Sequence, residues 1–234
     1  MSEGFYVVLP SNASYEIYKN KLSSFTVRLP TMLNMGPEWQ VAAVSISYPK
    51  SWFNIGEGYT LGMTHQVEKK RTRYKATISP GNYENPQDLI DEINRLTAVW
   101  PGNISFKVDK QKLKIDNAPP SLIISENLAQ VLGHINKSVR PIYLDQGLNS
   151  LYVYSDIVYP SIIGDTTGPL LRVVHVPSKT TFGQQVTEYF DPPYYYPLAH
   201  FNFQEITCYI RTDTGVPPAF RFGRVVITLH FKKT

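Results

Sequence analysis

The sequence predicts an all-β sandwich or barrel that is interrupted by a smaller α+β segment. Short runs of alternating apolar and polar residues recur along most of the chain, as expected for strands with one dry face. Turn residues such as Pro and Gly separate these runs. Outside the middle of the chain no helical pattern stands between them, and this combination favours antiparallel sheets.

The alternation is clearest close to the two ends of the chain. Phe25, Val27 and Leu29 are separated by Thr26 and Arg28, which is the pattern of a half-buried strand. The predicted strands cover residues 5–9, 24–29, 39–48, 74–79, 151–158, 170–176, 185–190, 205–211 and 224–231.

The middle of the chain carries helical signals instead. Asn85 and Pro86 are typical of an N-cap followed by the first helical residue, and an apolar stripe runs from Leu89 to Trp100. A second, shorter helix is expected after Ser125, with a hairpin between the two helices. We therefore predict a β framework of residues 1–81 and 148–234, with an α+β insertion at 82–147.

Composition and charge restrict the class of protein. The chain has 234 residues, 42% of them hydrophobic, and 23 basic against 19 acidic residues, which gives a net charge of +4. These are values of a globular protein. No apolar run is long enough to cross a bilayer, and the N-terminus does not resemble a signal peptide, so secretion by that route is not expected.

Motifs for catalysis, cofactors and metals are weak. Residues 213–215 read Asp-Thr-Gly, as in aspartic proteases, but Arg211 and Thr212 before them indicate a polar turn. The five histidines lack the spacing of metal ligands, and no glycine-rich phosphate loop is present. We predict no enzymatic activity and no catalytic, cofactor-binding or metal-binding residues, and we expect the single cysteine, Cys208, to be buried.

A basic patch is predicted beside the strand at 74–79. It comprises Lys69, Lys70, Arg71 and Arg73, four charges within five residues. The structural interpretation is a solvated hairpin, or a strand edge that its charges protect from unwanted pairing. The functional interpretation is a surface for nucleic acid or another acidic partner.

An aromatic segment, residues 189–203, is the second candidate site. Seven of its fifteen residues are aromatic and three are proline. Stiff backbone and tyrosine side chains are typical of protein–protein interfaces. We predict a subunit interface with Tyr194, Tyr195, Tyr196 and Phe201; the alternative is a loop that folds over the end of its own sandwich.

An ordered series of segments spans the whole chain and resembles a known family. The segments are Phe5-Tyr6-Val7-Val8-Leu9-Pro10-Ser11-Asn12, Trp39-Gln40-Val41-Ala42-Ala43-Val44-Ser45-Ile46-Ser47-Tyr48-Pro49, Asn82-Tyr83-Glu84-Asn85-Pro86-Gln87-Asp88-Leu89-Ile90, Leu151-Tyr152-Val153-Tyr154-Ser155-Asp156 and Val225-Val226-Ile227-Thr228-Leu229-His230-Phe231. In this order they resemble the minor capsid (penton) protein of Polinton/Maverick transposable elements and the related adintoviruses.

The resemblance implies a single jelly roll that forms homopentamers at the five-fold vertices of an icosahedral capsid. It implies a double jelly-roll major capsid protein as neighbour, and a place in the virion after assembly in the cytoplasm or nucleus of the host cell. If the basic patch faced the lumen of the shell, its charges could make non-specific contact with packaged DNA. Two alternatives remain open. One is a ligand- or carbohydrate-binding jelly-roll module, and the other is a domesticated host copy of the capsid protein.

Overall fold

The computed structural model describes residues 4–135, 138–144, 148–177 and 180–234. Contacts divide the chain into two compact units, one made by Met1–Trp52 with Leu148–Thr234 and the other by Phe53–Gly147. The helices are α1 (Pro86–Thr97) and α2 (Glu126–Val131). The strands are β1 (Gly4–Pro10), β2 (Ser24–Asn34), β3 (Trp39–Pro49), β4 (Thr60–Val67), β5 (Lys70–Thr77), β6 (Ser105–Asp109), β7 (Lys112–Asp116), β8 (Ile123–Ile124), β9 (His134–Ile135), β10 (Ser138–Val139), β11 (Ser150–Ser155), β12 (Ser161–Ile163), β13 (Thr166–Gly168), β14 (Leu170–His175), β15 (Gln185–Tyr189), β16 (Tyr196–Pro197), β17 (Asn202–Arg211) and β18 (Val226–Lys233).

The first unit is a jelly roll. One antiparallel sheet has the order β1-β18-β3-β15, with the short β16 also paired to β3, and the other has the order β14-β11-β17-β2. The eight main strands of this unit pair in a nested order. The outermost pair is β1 with β18, followed by β2 with β17, β3 with β15 and, innermost, β11 with β14. This nested pairing is that of one long hairpin rolled up across two sheets. The predicted fold class, an all-β jelly-roll sandwich, is confirmed.

Alternating side chains fill the space between these two sheets. In β2 the buried residues are Phe25, Val27 and Leu29, and in β18 they are Ile227, Leu229 and Phe231. Full burial of a side chain of this size contributes roughly 1.5–3 kcal/mol. The alternating apolar side chains that predict the strands therefore also stabilise the sandwich, because they are the ones buried between its sheets.

The second unit combines a sheet of order β5-β4-β8, a β6-β7 hairpin and α1. As predicted, α1 begins after Asn85: the Asn85 side chain accepts a hydrogen bond from the Asp88 N–H, and the Asp88 carboxylate accepts one from the Asn85 N–H. Leu89, Ile90 and Ile93 are buried in the core of this unit. The Asn94 side chain bonds both backbone groups of Phe106, at 2.8 and 2.9 Å, and so joins α1 to β6.

The end of α1 lies earlier than the apolar stripe indicates. The helix ends at Thr97, and the Trp100 N–H bonds the Thr97 carbonyl in a tighter turn. Pro101 disfavours helical backbone at the residue before it, which explains the early end. Trp100 nevertheless reaches the core.

The division into units differs from the predicted boundary. Residues 53–81 belong by their contacts to the second unit, whereas their strand pattern predicts them as part of the β framework. They contain β4 and β5, which pair with each other and, through β4, with β8. The strand pattern of residues 53–81 does not reveal that β4 also pairs with β8, which lies beyond residue 120.

Candidate functional site

The aromatic segment, residues 189–203, is tied to its own sandwich at several points. Its middle forms β16, in which Tyr196 pairs with Val41 of β3. The Ala199 N–H bonds the Ile157 carbonyl at 2.9 Å, and the Phe201 carbonyl accepts from the Met35 N–H at 2.8 Å. The backbone of the segment is therefore held in a defined path between β15 and β17.

Tyr194 and Phe201 are the two predicted interface residues that face solvent. Their exposed fractions are 57% and 41%, and Tyr189 at the start of the segment is 79% exposed. An exposed aromatic side chain on a constrained backbone loses little entropy when it is buried by a partner. These three rings thus have the character of interface anchors.

Arg172 of β14 holds the Tyr194 ring in place. Its guanidinium carbon lies 4.2 Å from the centroid of Tyr194 and 4.4 Å from that of Phe190. A cation held over a ring in this way contributes about 0.5–2 kcal/mol. The Nη1 atom of Arg172 is buried and has no hydrogen-bond partner among the residues that the structure describes. We conclude that stacking, rather than hydrogen bonding of Nη1, holds the guanidinium between the two rings.

Tyr195 and Tyr196 contact their own chain. The Tyr195 hydroxyl lies 2.7 Å from His230 Nδ1, and Lys232 Nζ lies 3.8 Å from the Tyr195 ring centroid. Partial burial raises the pKa of Tyr195, and Tyr6 raises it further. Tyr196 packs against the jelly-roll core. These two side chains hold the segment in place, while Tyr194 and Phe201 remain available for a partner.

The basic patch lies on the β4-β5 hairpin of the second unit. Glu68 and Lys69 form the turn, with Glu68 at φ 53°, and Lys70 pairs with Val67. Arg71 and Arg73 lie within β5, which begins earlier than predicted. All four predicted basic residues are exposed.

Only part of the patch lies on a sheet face. Because side chains alternate along a strand, Arg71, Arg73 and Lys75 share the outer face of β5, whereas Tyr74 and Ala76 face the core. The residues opposite them in β4 are Gln66, Thr64 and Gly62, all uncharged. We call this surface, with Ile123 of β8, the basic sheet face.

A cavity of about 510 Å³ opens on the basic sheet face. Its lining includes Gly62, Arg73, Lys75 and Ile123 together with the hydroxyl-bearing Thr60, Thr64 and Ser125. Gly62 contributes no side chain, and this leaves the centre of the face recessed. Ser121 Oγ donates to the Thr64 carbonyl at 2.6 Å, and Ser125 Oγ accepts from the Thr60 N–H at 3.0 Å, so the rim is held to β4.

The residues considered above for catalysis and metal binding lie apart from the aromatic segment and the basic patch. Asp213 lies in the turn between β17 and β18, where the Gly215 N–H bonds the Thr212 carbonyl at 3.0 Å. Cys208 is fully buried, and burial raises the pKa of its thiol to about 12. In the described ranges, no three His, Cys, Asp or Glu side chains are grouped so that they could hold a metal ion. Among the same residues, no helix has the length and apolar character to span a bilayer.

Comparison with known proteins supports the architecture. No protein-family model matches the chain, and no curated protein matches it. Among solved structures, the crystal structure of the mavirus penton protein matches with a TM-score of 0.56 over 99% of this chain and 100% of that chain. The fold is similar to that of a penton protein. Sequence identity is 10%, so the similarity lies in the path of the chain rather than in shared side chains.

Sequence reasoning missed Arg172 and Lys75. Lys75 continues the i, i+2 pattern of Arg71 and Arg73, and an earlier start of the strand would have revealed it. Arg172 of β14 contacts the Tyr194 ring, and nothing in the linear sequence relates these two residues.

Proposed function

We propose that the chain is a structural subunit of an icosahedral capsid, a penton that forms homopentamers at the five-fold vertices. One observation supports the proposal: the fold is similar to that of a penton protein over 99% of this chain. The resemblance to the Polinton/Maverick and adintovirus minor capsid proteins makes this the best-supported function for the jelly roll. The virion is then the site of action, and a double jelly-roll major capsid protein is the neighbour.

The aromatic segment is our candidate for one side of the subunit interface. A ring with five-fold symmetry needs two different patches on each subunit, because every contact is head to tail. Tyr194 and Phe201 are exposed on a backbone that is already ordered, and Arg172 lies against Tyr194. Tyrosine and arginine are among the residues that contribute most to binding energy at protein interfaces.

The oligomeric state of the purified protein tests the proposal. We expect a particle of about 133 kDa, five times the chain mass of 26.6 kDa, in size-exclusion chromatography with light scattering. Negative-stain images of this peak should show five-fold rings. A monomer that also stays out of the shells formed on co-expression with the major capsid protein would contradict the proposal.

The double variant Tyr194→Ala, Phe201→Ala tests the interface. Hot-spot side chains contribute about 2 kcal/mol or more each, so loss of both should shift the protein from pentamer to monomer without unfolding it. Tyr15→Ala is the matched control, because Tyr15 is a tyrosine of the same unit with 62% exposure. If the double variant assembles like the control, the aromatic segment is not the interface.

Contact of Lys69, Lys70, Arg71 and Arg73 with packaged DNA stays a prediction. Such contact would weaken steeply as salt is raised, because cations on the protein displace counterions from the phosphates.

A further inference from the structure

We propose that the basic sheet face of the second unit binds a sulfated polysaccharide. Arg71, Arg73 and Lys75 would contact the sulfate groups, and the cavity beside Gly62 would hold a sugar ring. This inference goes beyond the capsid role and does not depend on it, because every residue involved lies in the second unit.

The spacing of the cations suits a chain of repeating anions. Alternate residues of a strand are about 6.6–6.8 Å apart. Arg71, Arg73 and Lys75 therefore form a row of about 13 Å along β5. A single small anion would engage one of these side chains, whereas a linear polyanion can engage all three.

The charges in this row are not neutralised within the described part of the chain. Arg71, Arg73 and Lys75 form no ion pair with the described residues. Arg71 Nε donates a hydrogen bond to the uncharged Gln66 Oε1 at 3.1 Å, which leaves its charge in place. Across the strand pair, Gln66, Thr64 and Gly62 offer no carboxylate. Arginine presents a planar fork of donors that matches tetrahedral oxyanions. The row is thus available to anions in solution.

The cavity favours a saccharide over a bare anion. Its volume of about 510 Å³ lies within the range of small-molecule sites. Threonine and serine hydroxyls on its rim can exchange hydrogen bonds with sugar hydroxyls. Ile123, which is 68% exposed, provides an apolar surface for the C–H face of a ring.

The basic sheet face lacks the features of a dedicated site for single-stranded nucleic acid. Binding of single strands relies on aromatic side chains on which bases stack. Tyr74 belongs to the cavity lining, but its side chain is partly buried and packs against the core of the second unit. A DNA duplex would contact the cations but could not enter a recess of this volume.

The experiment measures binding of heparin oligosaccharides to the full chain by isothermal titration calorimetry at near-physiological ionic strength. A chemically desulfated oligosaccharide of the same length and a short DNA duplex are the comparison probes. We expect heparin to bind more tightly than either. The triple variant Arg71→Ser, Arg73→Ser, Lys75→Ser should bind heparin at least about tenfold more weakly, a loss of about 1.4 kcal/mol or more, because all three contacts to sulfate groups are removed.

Two further variants separate a specific site from general basicity. Lys110→Ser, Lys112→Ser, Lys114→Ser removes the same charge from exposed residues of the β6-β7 hairpin and should bind heparin like the wild type. Gly62→Val places a branched side chain in the floor of the cavity and keeps every cation; a Cβ there would lie 3.4 Å from the Tyr74 carbonyl oxygen, so the strand can accept it. This variant should weaken heparin binding and leave binding of DNA unchanged.

Several results would overturn the proposal. They are absence of heparin binding by the wild type, equal binding of the desulfated probe, and equal losses in the two triple variants. Tighter binding of the duplex, with no effect of Gly62→Val on either probe, would identify the basic sheet face as a nucleic-acid surface. Circular dichroism melting of each variant shows that a loss of binding does not arise from unfolding.

Discussion

His230 lies between two tyrosines on the outer face of β18. Its ring stacks on Tyr6 at 4.5 Å between centroids, and its Nδ1 atom lies 2.7 Å from the Tyr195 hydroxyl. Partial burial lowers the pKa of His230, and the charge of Lys232 lowers it further. The neutral imidazole, which can accept a hydrogen bond at Nδ1, is thus favoured in the folded protein.

The stability of the jelly roll should decrease when His230 becomes protonated. Since its pKa is lower in the folded than in the unfolded state, the unfolded chain takes up the proton first as the pH falls below about 6.5. The free energy of unfolding should therefore drop between about pH 7 and pH 5. In His230→Gln this part of the dependence should be absent, as measured by denaturant titrations across that range.

Other titrating groups make the difference from wild type the informative quantity. Burial raises the pKa values of Asp156 and Glu188, so these carboxyls favour the folded state as the pH falls. The control is His65→Gln, which replaces a histidine of β4 in the second unit. Identical pH profiles of wild type and His230→Gln would rule out the predicted coupling.

Prediction of single residues succeeds where burial follows a local pattern. Phe25, Leu229 and Cys208 are buried as their strands predict. Arg172 and His230 could not be found in this way, because their partners come from distant parts of the chain. Tyr195 is an example. The composition of the aromatic segment around it predicts an interface residue, but the sequence does not reveal that its hydroxyl contacts His230 of β18.

At the scale of elements, the capping box of α1 should make a measurable contribution. Asn85→Ala removes the acceptor for the Asp88 N–H and should lower the free energy of unfolding of the second unit by about 1 kcal/mol. Chemical denaturation followed by far-UV circular dichroism measures the effect. Asn85→Asp keeps an accepting side chain and should stay close to the wild type; equal losses in both variants would mean that the cap is not the cause.

Strands are easiest to predict from the sequence where buried and exposed side chains alternate along them. Burial alternates along β18, and its predicted bounds, 224–231, lie within two residues of the observed Val226–Lys233. β2 instead runs five residues beyond its predicted end at 29, to Asn34, and these last residues are mostly exposed. β4 was missed because Gly62 and polar residues alternate with only two buried side chains, Leu61 and Met63. The first residues of β5 are exposed on both faces, which removes the alternation there.

At the scale of the molecule, the two units have separate hydrophobic cores. One core is built from the jelly-roll strands, and the other from residues between Ile55 and Leu144. A segment with its own core has the anatomy of a domain. We therefore propose that the second unit folds without the first.

The fragment 53–147 should fold by itself. We expect a cooperative thermal transition by circular dichroism and a dispersed amide spectrum by NMR. Leu89→Ala in the same fragment is the control, because loss of this fully buried side chain should destabilise it by roughly 2–5 kcal/mol. A fragment with neither a transition nor spectral dispersion would show that the second unit needs the jelly roll in order to fold.

The global fold was predictable only in part from local patterns. Periodicity predicts a sandwich or barrel, and the choice of the jelly roll came from the resemblance to a family. The boundary at residue 53 could not be found from periodicity. A strand of the insertion and a strand of the framework have the same period of two, and only the pairing of β4 with β8 distinguishes them.

The pairing of β1 with β18 has a consequence for synthesis of the chain. At about 5–20 residues per second, β1 leaves the ribosome on the order of tens of seconds before β18. Phe5, Val7 and Leu9 lack their sheet neighbour for that time, and an unpaired apolar strand promotes aggregation. Residues 53–147, in contrast, emerge complete long before the end. A nascent chain halted before Val226 would thus carry a finished second unit beside a jelly roll that is still open between β1 and β3.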